Sequence, residues 1–240
     1  MKKSAQLKNV NLILTLTSLA VFFLFLLFYP SQNIIFVTPI RYHPPLVSDL
    51  NFVFPTPAPY PINTKNVSPP EISAASYLIL DATSDAVLAS KKGGEKLKIA
   101  STTKLMTAMT ALSIFKTTDT LTVKSNFPGG AIIGLTKGEK ITVNSLMHAL
   151  LIASANDAAQ VFADNSKTNF VNLMNKKAKS LHLDNTLFSN PQGFDDGENY
   201  STVTDLARLA SYSLRSTYIR QIVRNSLAVI HNADTSKSYV

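Results

Sequence analysis

Ser101 and Lys104 stand three residues apart in the stretch Ile99-Ala100-Ser101-Thr102-Thr103-Lys104-Leu105-Met106, and a second polar triplet, Ser154-Ala155-Asn156, follows further on. A serine hydroxyl is a poor nucleophile until a base takes its proton, and a lysine desolvated by an apolar core can be neutral enough to act as that base. Beyond Ser101 the apolar residues Leu105, Met106, Met109 and Leu112 recur at helical spacing. That period predicts a helix opened by Ser101, with Lys104 one turn on and on the same face, so that amine and hydroxyl can meet. The helix N-terminus adds partial positive charge where an oxyanion would develop. The chemistry that fits is acyl transfer through a serine ester. Alone the spacing specifies little, because an N-cap serine followed by a solvated lysine is also ordinary helix chemistry.

The elements around these residues give the pattern its weight. Residues 144–153 (NSLMHALLIA) read as an apolar helix, Ser154 to Asn156 as the break after it, and Asp157 to Ala163 as the start of another helix. A short polar loop between two buried helices can aim a hydroxyl and an amide into a cleft. Upstream, Tyr77 to Asp81 and Ala86 to Ser90 read as two strands joined by the turn Ala82-Thr83-Ser84-Asp85. The basic run from Lys91 to Lys96 reads as a solvated loop without the P-loop pattern. Later helices are predicted near residues 169–180 and 204–215, the second with Ser201 or Thr202 as its cap and Asp205 in its first turn. Between them, Asn190-Pro191-Gln192-Gly193 and Asp195-Asp196-Gly197-Glu198 form a loop, and no internal repeat is present.

Ser-x-x-Lys followed by a Ser-x-Asn triplet resembles the signature of penicillin-binding proteins and class A β-lactamases. From about Ala74 onward the chain is similar to the D-alanyl-D-alanine carboxypeptidases among the low-molecular-weight penicillin-binding proteins. The matching text is IASTTKLMTAM, then IGLTKGEKITVNSLMHALLIASANDAA, then FSNPQGFDDGENYSTVTDLARLA. Ala155 stands where that family often has Gly. The resemblance implies an α+β fold of the β-lactamase/transpeptidase-like type, an antiparallel sheet with a helical cluster. It also implies a substrate, the peptidoglycan stem peptide ending in D-Ala-D-Ala, and β-lactam antibiotics as covalent inhibitors. In that scheme Ser101 is the nucleophile and Lys104 its base. Ser154 passes a proton to the leaving amine, Asn156 hydrogen-bonds the substrate backbone, and the Ser101 amide is half of the oxyanion hole. The family's third motif, Lys-Thr-Gly on a strand, is not found. Lys237-Ser238-Tyr239 is the nearest candidate, with Tyr in place of the small Gly. The expectation is therefore a carboxy-terminal truncation with an incomplete sheet, an exposed sheet edge and little or no activity in these 240 residues.

Two other readings stay open. A β-lactamase would share Ser101 and Lys104, but class A enzymes hold their deacylating water with a glutamate. No Glu lies between Glu139 and Glu198. The other reading is a catalytically incomplete cell-envelope binding domain.

Composition narrows the classes further. The net charge of +8 is spread out; from Ser73 onward there are 18 Lys/Arg against 13 Asp/Glu, which reads as solvated lysines and leaves nucleic-acid binding without a motif. No cysteine is present, hence no disulfide, thiol nucleophile or lipobox cysteine. His43, His148, His182 and His231 lie far apart without a second ligand at zinc spacing, so neither metal nor cofactor is expected. His148 reads as a core or boundary residue, and Asp195, Asp196 and Glu198 as a solvated loop outside the EF-hand order.

The amino terminus sets the expected compartment. Residues 10–29 are about 20 largely apolar residues, which at 1.5 Å per residue span about 30 Å, the thickness of a bilayer core. Lys2, Lys3 and Lys8 precede them, so the positive-inside rule leaves 1–9 as a cytoplasmic tail and places the rest outside a bacterial cell membrane, held by a single-pass transmembrane signal-anchor. Ser18-Leu19-Ala20 offers a cleavage-like spacing, but the apolar run continues through Phe28, which favours an uncleaved anchor. Residues 30–72 hold ten of the twelve prolines and read as a stiff linker. At about 3.1 Å per residue it reaches up to roughly 130 Å, far enough to bring a domain at 73–240 to the cell wall. Phe52, Phe54 and Tyr60 leave open packing of the linker against that domain.

Overall fold

A computed structural model describes residues 14–24, 61, 65–195 and 198–240. The chain divides into two units, Met1–Pro55 and Thr56–Val240. In the first, residues 14–24 are helical and exposed. No helix among the described residues is long and apolar enough to cross a membrane. The remainder of the predicted 10–29 anchor, and the predicted linker up to residue 60, lie outside the described residues.

The second unit is a cluster of helices bordered by short antiparallel ribbons. β1 (Tyr77–Leu80) and β2 (Val87–Lys91) pair with Tyr77 opposite Lys91 and a register irregularity between Ile79 and Leu80. Asp81 Oδ1 makes the turn by accepting from the Thr83 amide, the Ser84 amide and the Ser84 hydroxyl, the local bonding that suits Asp to turns. A 3-10 turn, Ala100–Thr102, then runs into α1 (Thr103–Ile114). Ribbon β3 (Thr120–Thr122) with β4 (Lys140–Thr142) follows, then α2 (Val143–Ile152) and α3 (Asn156–Asn165). The order closes with α4 (Phe170–Ser180), α5 (Val203–Leu214), α6 (Thr217–Val223) and the hairpin β5 (Ile230–His231) with β6 (Ser238–Tyr239).

Packing departs from the amphipathic α1 that the sequence predicts. Residues Thr103, Lys104, Met106, Thr107, Ala108, Met109, Thr110 and Ala111 are all buried, whereas Leu105 and Leu112 are half-buried. The helix sits at the centre, against α2, α3, α4 and α5. A helix surrounded by others has no polar face, and its Ala and Thr positions let neighbours approach. The outer helices are capped as local chemistry requires: Thr142, Asn169, Thr202 and Ser216 each accept an amide of the first turn. The cap choice between Ser201 and Thr202 resolves to Thr202.

The expected antiparallel pairing takes the form of three separate two-stranded ribbons among the described residues. Ile79, Val87 and Leu88 are exposed on the first of them. Lys237-Ser238-Tyr239, the nearest candidate for the third motif, falls in the β5–β6 hairpin. Its Lys237 Nζ donates to the Gly134 carbonyl at 3.0 Å and stands 3.7 Å from Glu139 Oε2, so its partners are neither Ser101 nor Lys104.

Candidate active site

Ser101 lies in the 3-10 turn at the mouth of α1, immediately after Ala100, whose φ of 45 places a non-glycine residue in the left-handed region. No side chain caps this turn or the helix that continues it. Among the described residues the Ser101 amide has no acceptor, so a donor carrying the helix's positive end is left open beside the hydroxyl. Lys104, three residues on, is 3% exposed. Its Nζ meets Ser101 Oγ at 3.1 Å and the Gln192 carbonyl at 2.8 Å. Burial pulls the ammonium down from 10.5 to about 8, because the charged form loses its hydration and, among the described residues, no carboxylate pairs with it to restore the balance.

The loop that supplies the Gln192 carbonyl is held by side-chain amides in the role of missing strand partners. Asn175 bonds both the amide and the carbonyl of Phe188, Asn199 takes the Ser189 amide, and Asn190 Oδ1 accepts from the amides of Gly193 and Phe194. Pro191 offers its carbonyl to Thr107 Oγ1 of α1 at 2.7 Å. Gly193, at φ 89, is required where it stands. A Cβ there would overlap the Ala100 carbonyl oxygen and come within 3.1 Å of the Ser101 nitrogen, closing the approach to that amide.

The helix opened by Asn156 of the second motif is bonded to the same loop through Gln160. Ser154 has φ 54, another non-glycine left-handed residue, at the break between α2 and α3. Its hydroxyl makes no hydrogen bond among the described residues. Asn156 opens α3; its amide donates to the Ala131 carbonyl at 2.7 Å and its Nδ2 to the Gly129 carbonyl at 3.1 Å. A Cβ on Gly130 would overlap Asn156 Nδ2 and lie 3.5 Å from Phe194 Cε1. Phe194, which follows the glycine packed on Ser101, thus also neighbours Asn156, and it stacks on Phe127 with ring centroids 6.0 Å apart. The next residue, Asp157, is buried, and its carboxylate accepts from the amides of Ile133, Gly134 and Leu135.

The remaining sequence candidates sit elsewhere. His148 Nδ1 bonds the Asn144 carbonyl one turn back on α2, and His231 Nδ1 bonds Ser238 Oγ. His182 is exposed, and His43 lies outside the described residues. Asp195 is 4.0 Å from Lys98, and Asp196 lies outside the described residues. Three residues are missed as site residues: Gln160, which the sequence reading does not single out, and Gln192 and Gly193, which it names only as part of a loop. Gln192 is separated from Lys104 by 88 positions, and only the turn-like Asn-Pro-Gln-Gly signal marked its loop.

Known proteins resemble this chain in sequence and fold. The family model for D-alanyl-D-alanine carboxypeptidase, Peptidase_S11, matches residues 63–237. The D-alanyl-D-alanine carboxypeptidase DacA of Escherichia coli is 32% identical over 200 residues, covering 69% of this chain and 49% of that protein. DacF of Bacillus subtilis is 35% identical over 152 residues, covering 59% of this chain and 39% of that protein. Among solved structures, a D-alanyl-D-alanine carboxypeptidase from Mycobacterium tuberculosis matches with a TM-score of 0.67 at 26% identity, covering 72% of this chain and 68% of its own. Penicillin binding protein 6B from Escherichia coli gives 0.60 at 30%, covering 65% and 54%. The chain therefore spans less than half the length of these two curated relatives. With a lysine amine against a serine hydroxyl at a helix mouth, and with the family model matched from residue 63 to residue 237, the chain belongs to the D-alanyl-D-alanine carboxypeptidase family.

Proposed function

We propose that this chain carries the serine site of a D-Ala-D-Ala carboxypeptidase, which removes the terminal D-alanine from peptidoglycan stem peptides. The observation that carries the reading is the buried Lys104 amine, held between Ser101 Oγ and the Gln192 carbonyl with its pKa lowered to about 8. In its neutral form the amine keeps one N–H on Gln192 and turns its lone pair to the serine. Ser101 Oγ attacks the carbonyl carbon of the D-Ala-D-Ala bond while its proton passes to Lys104 Nζ. The negative charge that forms on the carbonyl oxygen is met by the Ser101 amide at the positive end of α1. The tetrahedral intermediate then collapses, the C–N bond breaks, and the leaving amine takes a proton through Ser154. Water hydrolyses the remaining ester, its proton returning through Lys104 to Ser101. Asn156 retains an amide N–H and its Oδ1 for the substrate backbone.

The same reading extends to place and partners: β-lactams as covalent inhibitors, residues 10–29 as a membrane anchor, 30–72 as a linker, and 73–240 as a domain outside a bacterial cell membrane. A fluorescent penicillin tests the core of it. A stable adduct that tryptic mass spectrometry maps to Ser101 supports a penicillin-binding enzyme. Rapid release of the label would indicate a β-lactamase, and no adduct would indicate a binding module.

A further inference from the structure

The contacts that leave Lys104 continue past the loop. Gln192, 4% exposed, gives its backbone carbonyl to Lys104 Nζ and its side-chain Nε2 to Gln160 Oε1 at 2.7 Å. Gln160 belongs to α3, one turn beyond Asn156 and on the same face. Its own Nε2 donates to Asp164 Oδ1 at 2.6 Å, another turn along, and the Asp164 carbonyl accepts from Lys124 Nζ. One amide-to-amide bond thus joins the helix that begins with Asn156 to the carbonyl that holds the lysine.

We propose that Gln160 is a positioning residue for Lys104, acting through Gln192: the Gln160–Gln192 bond fixes the Gln192 carbonyl, and that carbonyl orients the lysine amine toward Ser101. The inference rests on the reading of Lys104 as the base. A neutral amine has two N–H groups and one lone pair, and the lone pair faces Ser101 only while an N–H is parked elsewhere. Among the described residues Gln192 O is the only other partner of Nζ, and Gln160 is the only partner of Gln192 Nε2. Breaking that bond strands a buried amide N–H, which is costly enough for the loop to shift until water reaches it. Water admitted there also reaches Lys104, whose lowered pKa comes from burial alone. The charged groups on the path, Asp164 and Lys124, lie at its far end.

The test compares Gln160→Leu, Gln192→Leu and the double variant in the full chain. Three readings are taken: the second-order rate of penicillin acylation, thermal unfolding, and the pH dependence of Lys104 acetylation by acetic anhydride, followed by peptide mass spectrometry. Each single variant and the double should lose acylation by the same factor, on the order of ten- to a hundredfold. The midpoint of Lys104 acetylation in Gln160→Leu should rise toward that of a solvated lysine. Losses that multiply in the double variant, or an unmoved midpoint, would overturn the proposal. Should Gln160→Leu not fold, Gln160→Met keeps the side chain's length without its carbonyl and gives the same readings. A wild-type chain that takes no penicillin would remove the proposed function, while the acetylation midpoint still decides the part played by Gln160.

Discussion

Lys104 has two polar partners, and each governs a different property of the amine. Ser101 Oγ, at 3.1 Å, is the group whose proton it would take, and the Gln192 carbonyl, at 2.8 Å, fixes where its N–H points. Burial supplies the third property, a pKa near 8. At pH 7 roughly one amine in ten is then neutral, so acylation of Ser101 should rise about tenfold from pH 7 to a plateau above about pH 9. A flat pH profile for fluorescent penicillin would remove Lys104 from the role of base. The same shift links to stability. Between about 8 and 10.5 the unfolded chain holds the proton that the folded chain has released, so stability should climb with pH through that window and lose the gain below it. Ser101→Ala and Lys104→Ala should each abolish labelling while thermal unfolding stays cooperative.

At the scale of elements, side chains that imitate backbone do much of the positioning. Asp157, 2% exposed in the first turn of α3, takes three amides of the loop 133–135 and thereby fixes the approach to Asn156. Asp157→Ala leaves those amides without an acceptor and should destabilise the domain by about 3 kcal/mol in denaturant unfolding, where Asp157→Asn should lose less. Thr202→Ala removes the α5 cap and should lower stability by about 1 kcal/mol in the same assay. These elements differ in how plainly the sequence announces them. The sequence places α2, α4 and α5 to within a residue or two, with a cap read for α5 alone, and the three-residue spacing puts Lys104 beside Ser101. Short ribbons such as β3–β4 and β5–β6, and the seven-residue α6, carry too few residues to show a period. The pairing of Gln160 with Gln192 was invisible for another reason. Their partners are chosen by tertiary approach across 32 positions, and nothing local to either residue encodes it.

For the whole molecule, the proposal separates a site-bearing unit from an apolar amino-terminal stretch. The two have different composition: three lysines precede residues 10–29, and ten prolines fill the stretch from Pro30 to Ile72. If residues 10–29 anchor the chain, exported protein should remain with membranes after a high-salt wash and keep its original amino terminus. Amino-terminal sequencing that begins anywhere between residues 18 and 35 would exclude the anchor.

The crowding of Gly193 against Ala100 has a consequence for how this sequence can change over time. Two non-ideal choices face each other there: a residue with a Cβ at φ 45, and a residue without one at φ 89 whose missing methyl space is filled by the Ala100 carbonyl oxygen. Neither position can drift alone without displacing the peptide that leads into Ser101, so their substitutions are epistatic. In a paired saturation library selected for penicillin labelling, position 193 should stay Gly whenever position 100 keeps its peptide orientation. Gly should be the best tolerated replacement for Ala100, since it meets the left-handed backbone without strain.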